Sequence, residues 1–167
     1  MTSLHQKLQQ LKLATTAKQL DDLLQQAAQQ NLSPAQWLEL CCQCELDGRC
    51  QHAVQQRFRA SRLLAQITID QFLFHHDKSR LQAKNKILQI LDLDFLAEGT
   101  NILFLGNPGT GKTFLAKIIG YRACLQRHRV LFTTAMDMLN QLTAAQVDHS
   151  LLRKLKIYTQ PSLLICD

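Results

Sequence analysis

Apolar positions in the first 65 residues recur at helical intervals. Leu4, Leu8 and Leu11 fall at i, i+4 and i+7, and Leu20, Leu23, Leu24 and Ala27 trace a second stripe. Two short stretches, "TAKQ" (Thr16 to Gln19) and "SPAQ" (Ser33 to Gln36), put a hydroxyl at an N-cap and a glutamine three residues on, the pattern of a capping box. Pro34 then falls at the first helical position, where its missing N–H costs nothing. From Ser33 the pattern predicts a helix to about Leu64, with Asp47-Gly48 as a candidate break. The many Gln and Ala residues are good helix formers, so the region need not be a disordered tract.

Residues 66–78, "QITIDQFLFHHDK", leave that pattern. Their β-branched and aromatic residues predict an extended linker with Phe72 and Phe74 anchored in a groove. A short helix is expected from about Ser79 to Leu91, with Leu81, Ile87, Leu88 and Leu91 on its apolar side. From Gly99 onward the pattern alternates. "NILFLG" reads as a buried strand, "KTFLAKIIGYRACLQR" as a helix apolar on most sides, and "RVLFTTA" as a second strand. "MDMLNQLTAA" and "SLLRKLKIYT" read as short helices and "SLLICD" as a third strand. Strands alternating with helices at this spacing imply a parallel sheet with covering helices. The expected fold class is therefore α/β: an N-terminal helical region (1–65), a linker (66–78) and a nucleotide-binding core (79–167).

Composition narrows the partners rather than the fold. No apolar run approaches the ~18 residues of a membrane span, and the N-terminus lacks the apolar stretch of a signal peptide, so a cytoplasmic protein without a membrane partner is expected. Charge is uneven. Residues 1–99 carry eleven Lys and Arg against ten Asp and Glu, whereas residues 100–167 carry eight against three. A basic second half suits polyanions such as ATP or DNA, although a solvated basic surface has the same composition. Six cysteines occur, four of them in "CCQCELDGRC". The local pattern is helical, with Cys41 and Cys44 on one face and Cys50 pointing away. It lacks the paired C-x-x-C spacing of a zinc site, so reduced thiols are expected there. His75 and His76 are adjacent in an extended stretch and point apart, as ordinary loop histidines do.

The chemistry-bearing stretch is "GNPGTGKT": Gly106, Asn107, Pro108, Gly109, Thr110, Gly111, Lys112 and Thr113. It matches the phosphate-loop pattern G-x-x-x-x-G-K-[ST], and it falls after an expected strand and at the opening of an expected helix. Glycines let backbone N–H groups curl around phosphates without obstruction. The helix beginning near Lys112 turns its positive end toward them. The Lys112 ammonium is expected on the β- and γ-phosphates and the Thr113 hydroxyl on Mg²⁺. Asp167 ends the last expected strand, where phosphate-loop NTPases keep an aspartate that helps to hold the magnesium. ATP and Mg²⁺ are thus the expected ligands.

These residues and their surroundings resemble the IstB-type helper ATPases, AAA+ proteins that assist the transposase of an insertion element and are relatives of the DnaC helicase loaders. "LQQLKLATTAKQLDDLLQQAAQQNLSPAQWLELC" resembles that family's N-terminal helical region and "TIDQFLF" its linker. The stretch from "LDFLAEGTNILFLGNPGTGKT" to "MDMLNQL" resembles its nucleotide-binding core, and "PSLLICD" its second magnesium motif up to the aspartate. The resemblance implies a parallel strand order of 5-1-4-3-2, with strand 1 at about 102–105, strand 2 at about 130–134 and strand 3 at about 162–166. Strand 4 would come after Asp167, leaving the two halves of the magnesium site separated and strand 1 without neighbours.

The resemblance further implies a complete protein that couples ATP state to self-assembly on DNA and to its cognate transposase. An acidic residue normally follows the aspartate and orients the attacking water. With no residue after Asp167, the chain reads as the front part of such an ATPase. No catalytic residue for hydrolysis is expected within it, and it should hold ATP weakly. Arg57, Arg59 and Arg62, then Arg122, Arg127 and Arg129, then Arg153, Lys154 and Lys156 form three basic groups that could meet DNA phosphates or simply face solvent. Two other functions fit the same residues: a helicase loader in replication, and a helical binding module carrying an inert ATPase remnant.

Overall fold

Residues 1–53 and 54–167 pack as separate units. The structure, a computed structural model, describes residues 3–76, 78–147 and 149–167; Met1, Thr2, Asp77 and Asp148, which fall within the regions expected above, lie outside these.

The first unit holds α1 (Ser3–Gln10), α2 (Ala14–Lys18), α3 (Leu20–Gln29) and most of α4 (Pro34–Ala60). At the start of α4 the capping box forms: Ser33 N–H donates to Gln36 Oε1 at 2.9 Å, and Gln36 N–H donates to Ser33 Oγ at 3.4 Å. The second expected box does not form. Thr16 lies inside α2, and its N–H is taken by a residue far along the chain. The residue that precedes α2, Leu13, offers no capping side chain. Glu45 of α4 fills the role, with Oε2 accepting from Thr15 N–H at 2.9 Å and Thr16 N–H at 3.1 Å. The Thr16 hydroxyl donates to Cys41 O at 3.1 Å, a second tie between the two helices.

The expected break at Asp47-Gly48 is also absent, since α4 runs unbroken through it. Gly48 serves close approach instead: a Cβ there would stand 2.7 Å from Thr15 Cβ. The helix ends at Ala60, short of Leu64. Ser61 Oγ donates to Phe58 O at 2.6 Å, and Arg62 takes a left-handed φ of 62°, which turns the chain out of the helix.

In the second unit the linker passes through two short 3₁₀ turns, Ile69–Gln71 and Phe74–His76, and buries Ile67 and Phe72. Then follow α5 (Lys78–Ile90), α6 (Asp94–Glu98), α7 (Lys112–Leu125), β1 (Val130–Thr133), α8 (Ala135–Val147), α9 (Leu151–Thr159) and β2 (Leu163–Cys166). β1 and β2 pair in parallel, from Val130 opposite Leu163 to Thr133 opposite Cys166. Helix α7 is the centre of the core, as its nearly all-round apolar pattern predicts. Leu115, Ile118, Ile119, Ala123 and Cys124 are buried against Leu63, Ile87, Val130 and Ile165, among others.

The strand expected at residues 102–105 does not form; the segment is irregular. Leu103 and Leu105 are 79% and 83% exposed. A groove of about 590 Å³ separates this segment from β2, with Ala116 and Ile119 of α7 also lining it. A strand needs a neighbour for its N–H and C=O groups. In the 5-1-4-3-2 order that the resemblance implies, this segment would pair with strands 4 and 5, whereas the sheet among the described residues holds β1 and β2 alone. β1 and β2, adjacent in that order, do pair.

All six cysteines are free thiols. Burial pushes the Cys41, Cys44 and Cys124 thiols above their ordinary value. Cys44 Sγ donates to Gln19 Oε1 at 3.1 Å. Among the described residues, no group of three or more His, Cys, Asp or Glu is arranged to hold a metal ion.

Glu45 generates the first prediction. Burial raises its pKa, but bonds from Thr16 N–H, Arg49 and Thr15 N–H outweigh this and hold the carboxyl below its usual value. Its contribution is therefore complete above the unfolded-state carboxylate value and is lost as pH falls through the lower folded value. Glu45→Gln should cost about 1–3 kcal/mol at neutral pH and should flatten the acid side of the pH–stability curve, as measured by urea unfolding followed by far-UV circular dichroism. Gly48→Ala gives the second prediction. At an open helix position the change would stabilise by about 1 kcal/mol. Against Thr15 it should destabilise by about 1–3 kcal/mol through overpacking, read in the same titration.

Candidate functional site

Residues 106–113 form a loop that runs directly into α7. Gly109 and Gly111 have φ of 80° and 86°, in the left-handed region that other residues enter at a cost. Gly111 is the N-cap of α7 and supplies no side chain to its first turn. The leading amides of the helix thus have no capping group from this residue, which leaves a concentration of positive partial charge.

The carbonyls of the loop are better served. Lys112 Nζ donates to Gly106 O at 3.0 Å and to Asn107 O at 2.9 Å. The Thr110 hydroxyl also donates to Asn107 O, at 2.9 Å. On the other side Arg80 of α5 donates through Nε to Thr110 O at 3.0 Å and through Nη2 to Gly109 O at 3.3 Å. The same guanidinium reaches Leu73 O at 3.3 Å and lies 4.9 Å from the centre of the Phe72 ring. Phe72 in turn packs on Phe74 and on Phe114 of α7.

In the first turn of α7, the Thr113 hydroxyl donates to Asp167 Oδ1 at 2.7 Å. The two expected magnesium residues are therefore in contact without a strand between them. Parallel pairing with β1 carries the chain to this point: Asp167 N–H donates to Thr133 O at 3.0 Å, and Ala135 N–H donates to Asp167 O at 3.0 Å. Both side chains offer hard oxygen donors, the type that Mg²⁺ takes from proteins while phosphates and water complete its shell.

Matching against known proteins identifies the family. A family model described as IstB-like ATP binding protein matches residues 6–167. The chain belongs to this family. Among its relatives is a protein of Geobacillus stearothermophilus named for ATP binding in insertion sequence IS5376, 32% identical over 164 residues; the match covers 98% of this chain and 64% of that protein. A Bacillus thuringiensis subsp. berliner protein named likewise for insertion sequence IS232 is 33% identical, with 96% of this chain and 63% of the relative covered. One from Pseudomonas aeruginosa, named for IS21, is 30% identical, with 100% and 62% covered. The IstB-like chain thus spans less than two thirds of the length of each of these relatives.

Other sequence-predicted groups are not gathered at this site. His75 and His76 are exposed in their 3₁₀ turn. Arg59 and Arg62, Arg122, Arg127 and Arg129, and Arg153 and Lys156 are exposed, while Arg57 and Lys154 are half-buried. Among the described residues, no helix is long and apolar enough to cross a membrane. Sequence reasoning missed Arg80. It stands 26 residues before Gly106 in a stretch read only for its apolar face, and no spacing rule links it to the loop.

Proposed function

We propose that this IstB-like chain binds ATP with Mg²⁺ through Gly106, Asn107, Pro108, Gly109, Thr110, Gly111, Lys112 and Thr113, with Asp167 as the second magnesium residue. The observation that carries the reading is the 2.7 Å bond between Thr113 and Asp167, made beside a loop whose left-handed glycines run into an uncapped helix end. Nitrogen donors at the loop would take the phosphates. Lys112 would exchange the carbonyls of Gly106 and Asn107 for phosphate oxygens, so its present position is a resting one. Thr113 and Asp167 would hold Mg²⁺, which when bound neutralises phosphate charge.

For the whole protein we propose a transposition helper of the cytoplasm that joins ATP state to DNA, to a cognate transposase and to self-assembly. Support comes from relatives named for insertion sequences and from exposed arginines in all three basic groups. In this reading residues 1–65 form the helical region, 66–78 the linker and 79–167 the ATP-binding core.

Lys112→Ala should weaken Mg-ATP binding at least about tenfold, or ~1.4 kcal/mol, with helix content unchanged. Titration with a fluorescent ATP analogue and circular dichroism together make the check. Equal affinity in the two proteins would reject the assignment. Thr113→Val should make binding less sensitive to Mg²⁺ when the titration is repeated with and without the metal; an unchanged dependence would remove Thr113 from the magnesium site.

A further inference from the structure

Peptide-bond geometry gives the contacts of Arg80 a consequence. In a trans peptide the C=O of one residue and the N–H of the next point in opposite directions. Arg80 engages Gly109 O and Thr110 O. The N–H groups of Thr110 and Gly111 must therefore point away from the guanidinium. Thr110 N–H accordingly turns inward, toward Asn107 O at 3.4 Å, a long bond that a better acceptor could replace. The guanidinium is itself held in place. It lies over Phe72, which is buried, and bonds to Leu73 O. The fit at Gly111 is close, since a Cβ there would stand 3.0 Å from Arg80 Nη2 and 3.2 Å from Phe72 Cε2.

We propose that Arg80 is a positioning residue for nucleotide binding: by holding the carbonyls of Gly109 and Thr110 it keeps the following amides turned toward the phosphates, and it ties that orientation to the linker at Phe72 and Leu73. The inference rests on the ATP-binding reading above. Arg80 touches the loop from the carbonyl side and acts through it. The planar fork of arginine suits three carbonyl acceptors, and the single ammonium of lysine does not.

The test uses the 167-residue chain with Arg80→Met, which keeps the stem over Phe72 and removes every donor, and Arg80→Lys, which keeps the charge. Affinity for a fluorescent ATP analogue with Mg²⁺ is measured beside the unfolding midpoint without nucleotide and the amide exchange of Thr110 and Gly111. Arg80→Met should weaken binding about tenfold, the scale of lost charge-assisted bonds. It should also speed exchange at those two amides and leave the midpoint unchanged, and Arg80→Lys should restore only a small part of the affinity. Unchanged affinity in Arg80→Met, full recovery in Arg80→Lys, or a fall in midpoint that accompanies the affinity loss would each overturn the role. In those cases wild-type binding would leave the ATP reading standing. A wild-type chain that fails to bind the analogue would overturn the ATP reading and this inference together.

Discussion

The packing of α7 on the two-stranded sheet fixes where the rest of residues 54–167 can stand. At Gly120 the helix comes so near that a Cβ would lie 2.8 Å from Ile165 Cδ1 and 3.2 Å from Leu63 Cδ1. Ile165 is a β2 residue, so this approach sets the helix against the strand that ends at Asp167. Two turns nearer its N-terminus, the same helix presents Thr113 to that aspartate. A contact at the start of α7 is thus governed by the absence of a side chain near its middle. Packing at interior density transmits such constraints because there is little free space to absorb them.

The first unit uses the same economy of close approach with different chemistry. Gly48 lets Thr15 come against α4, and Glu45, one turn earlier on α4, then reaches the first-turn amides of α2. A five-residue helix cannot sustain itself by propagation. Its leading amides need an acceptor, and a buried carboxylate needs donors. Arg49, four residues after Glu45, adds an ion pair at 3.0 Å, but its side chain is 57% exposed, so the backbone amides carry more of the weight.

Features written in local sequence were legible, and those that depend on distant partners were not. The capping box at Ser33, the apolar stripe of α7, the two paired strands and the phosphate-loop pattern could each be read within a short window. Thr16 was misread because the true partner of its amide, Glu45, is 29 residues away. Gly48 was read as a helix break because sequence records a missing side chain but not the neighbour that requires it. At the candidate site, Thr113 and Asp167 were legible as a pair by motif, although their direct contact was not expected. Arg80 was invisible because a side chain that binds main-chain carbonyls leaves no reciprocal residue type to recognise.

The failed strand bears on how the loop keeps its shape. A phosphate loop would ordinarily be anchored in front by the ladder bonds of the strand before it. Among the described residues no strand lies beside residues 102–105, and two of their leucines stand in solvent. The order of the loop must therefore come from behind and from the sides. Behind, α7 begins at Lys112 with its first helical bond, Leu115 N–H to Gly111 O, at 2.9 Å. At the sides, Lys112 and Arg80 claim the carbonyls of Gly106, Asn107, Gly109 and Thr110. Phe72 packs both under the Arg80 guanidinium and on Phe114, so the linker joins the cation on one side to the helix behind. The two cations are not interchangeable. In the proposed ATP-binding reading Lys112 is the group that leaves its carbonyls to meet a phosphate, whereas Arg80 can stay in place when it does. A loop so held can exchange one set of bonds for an incoming anion without losing the other, even with no strand in front of it.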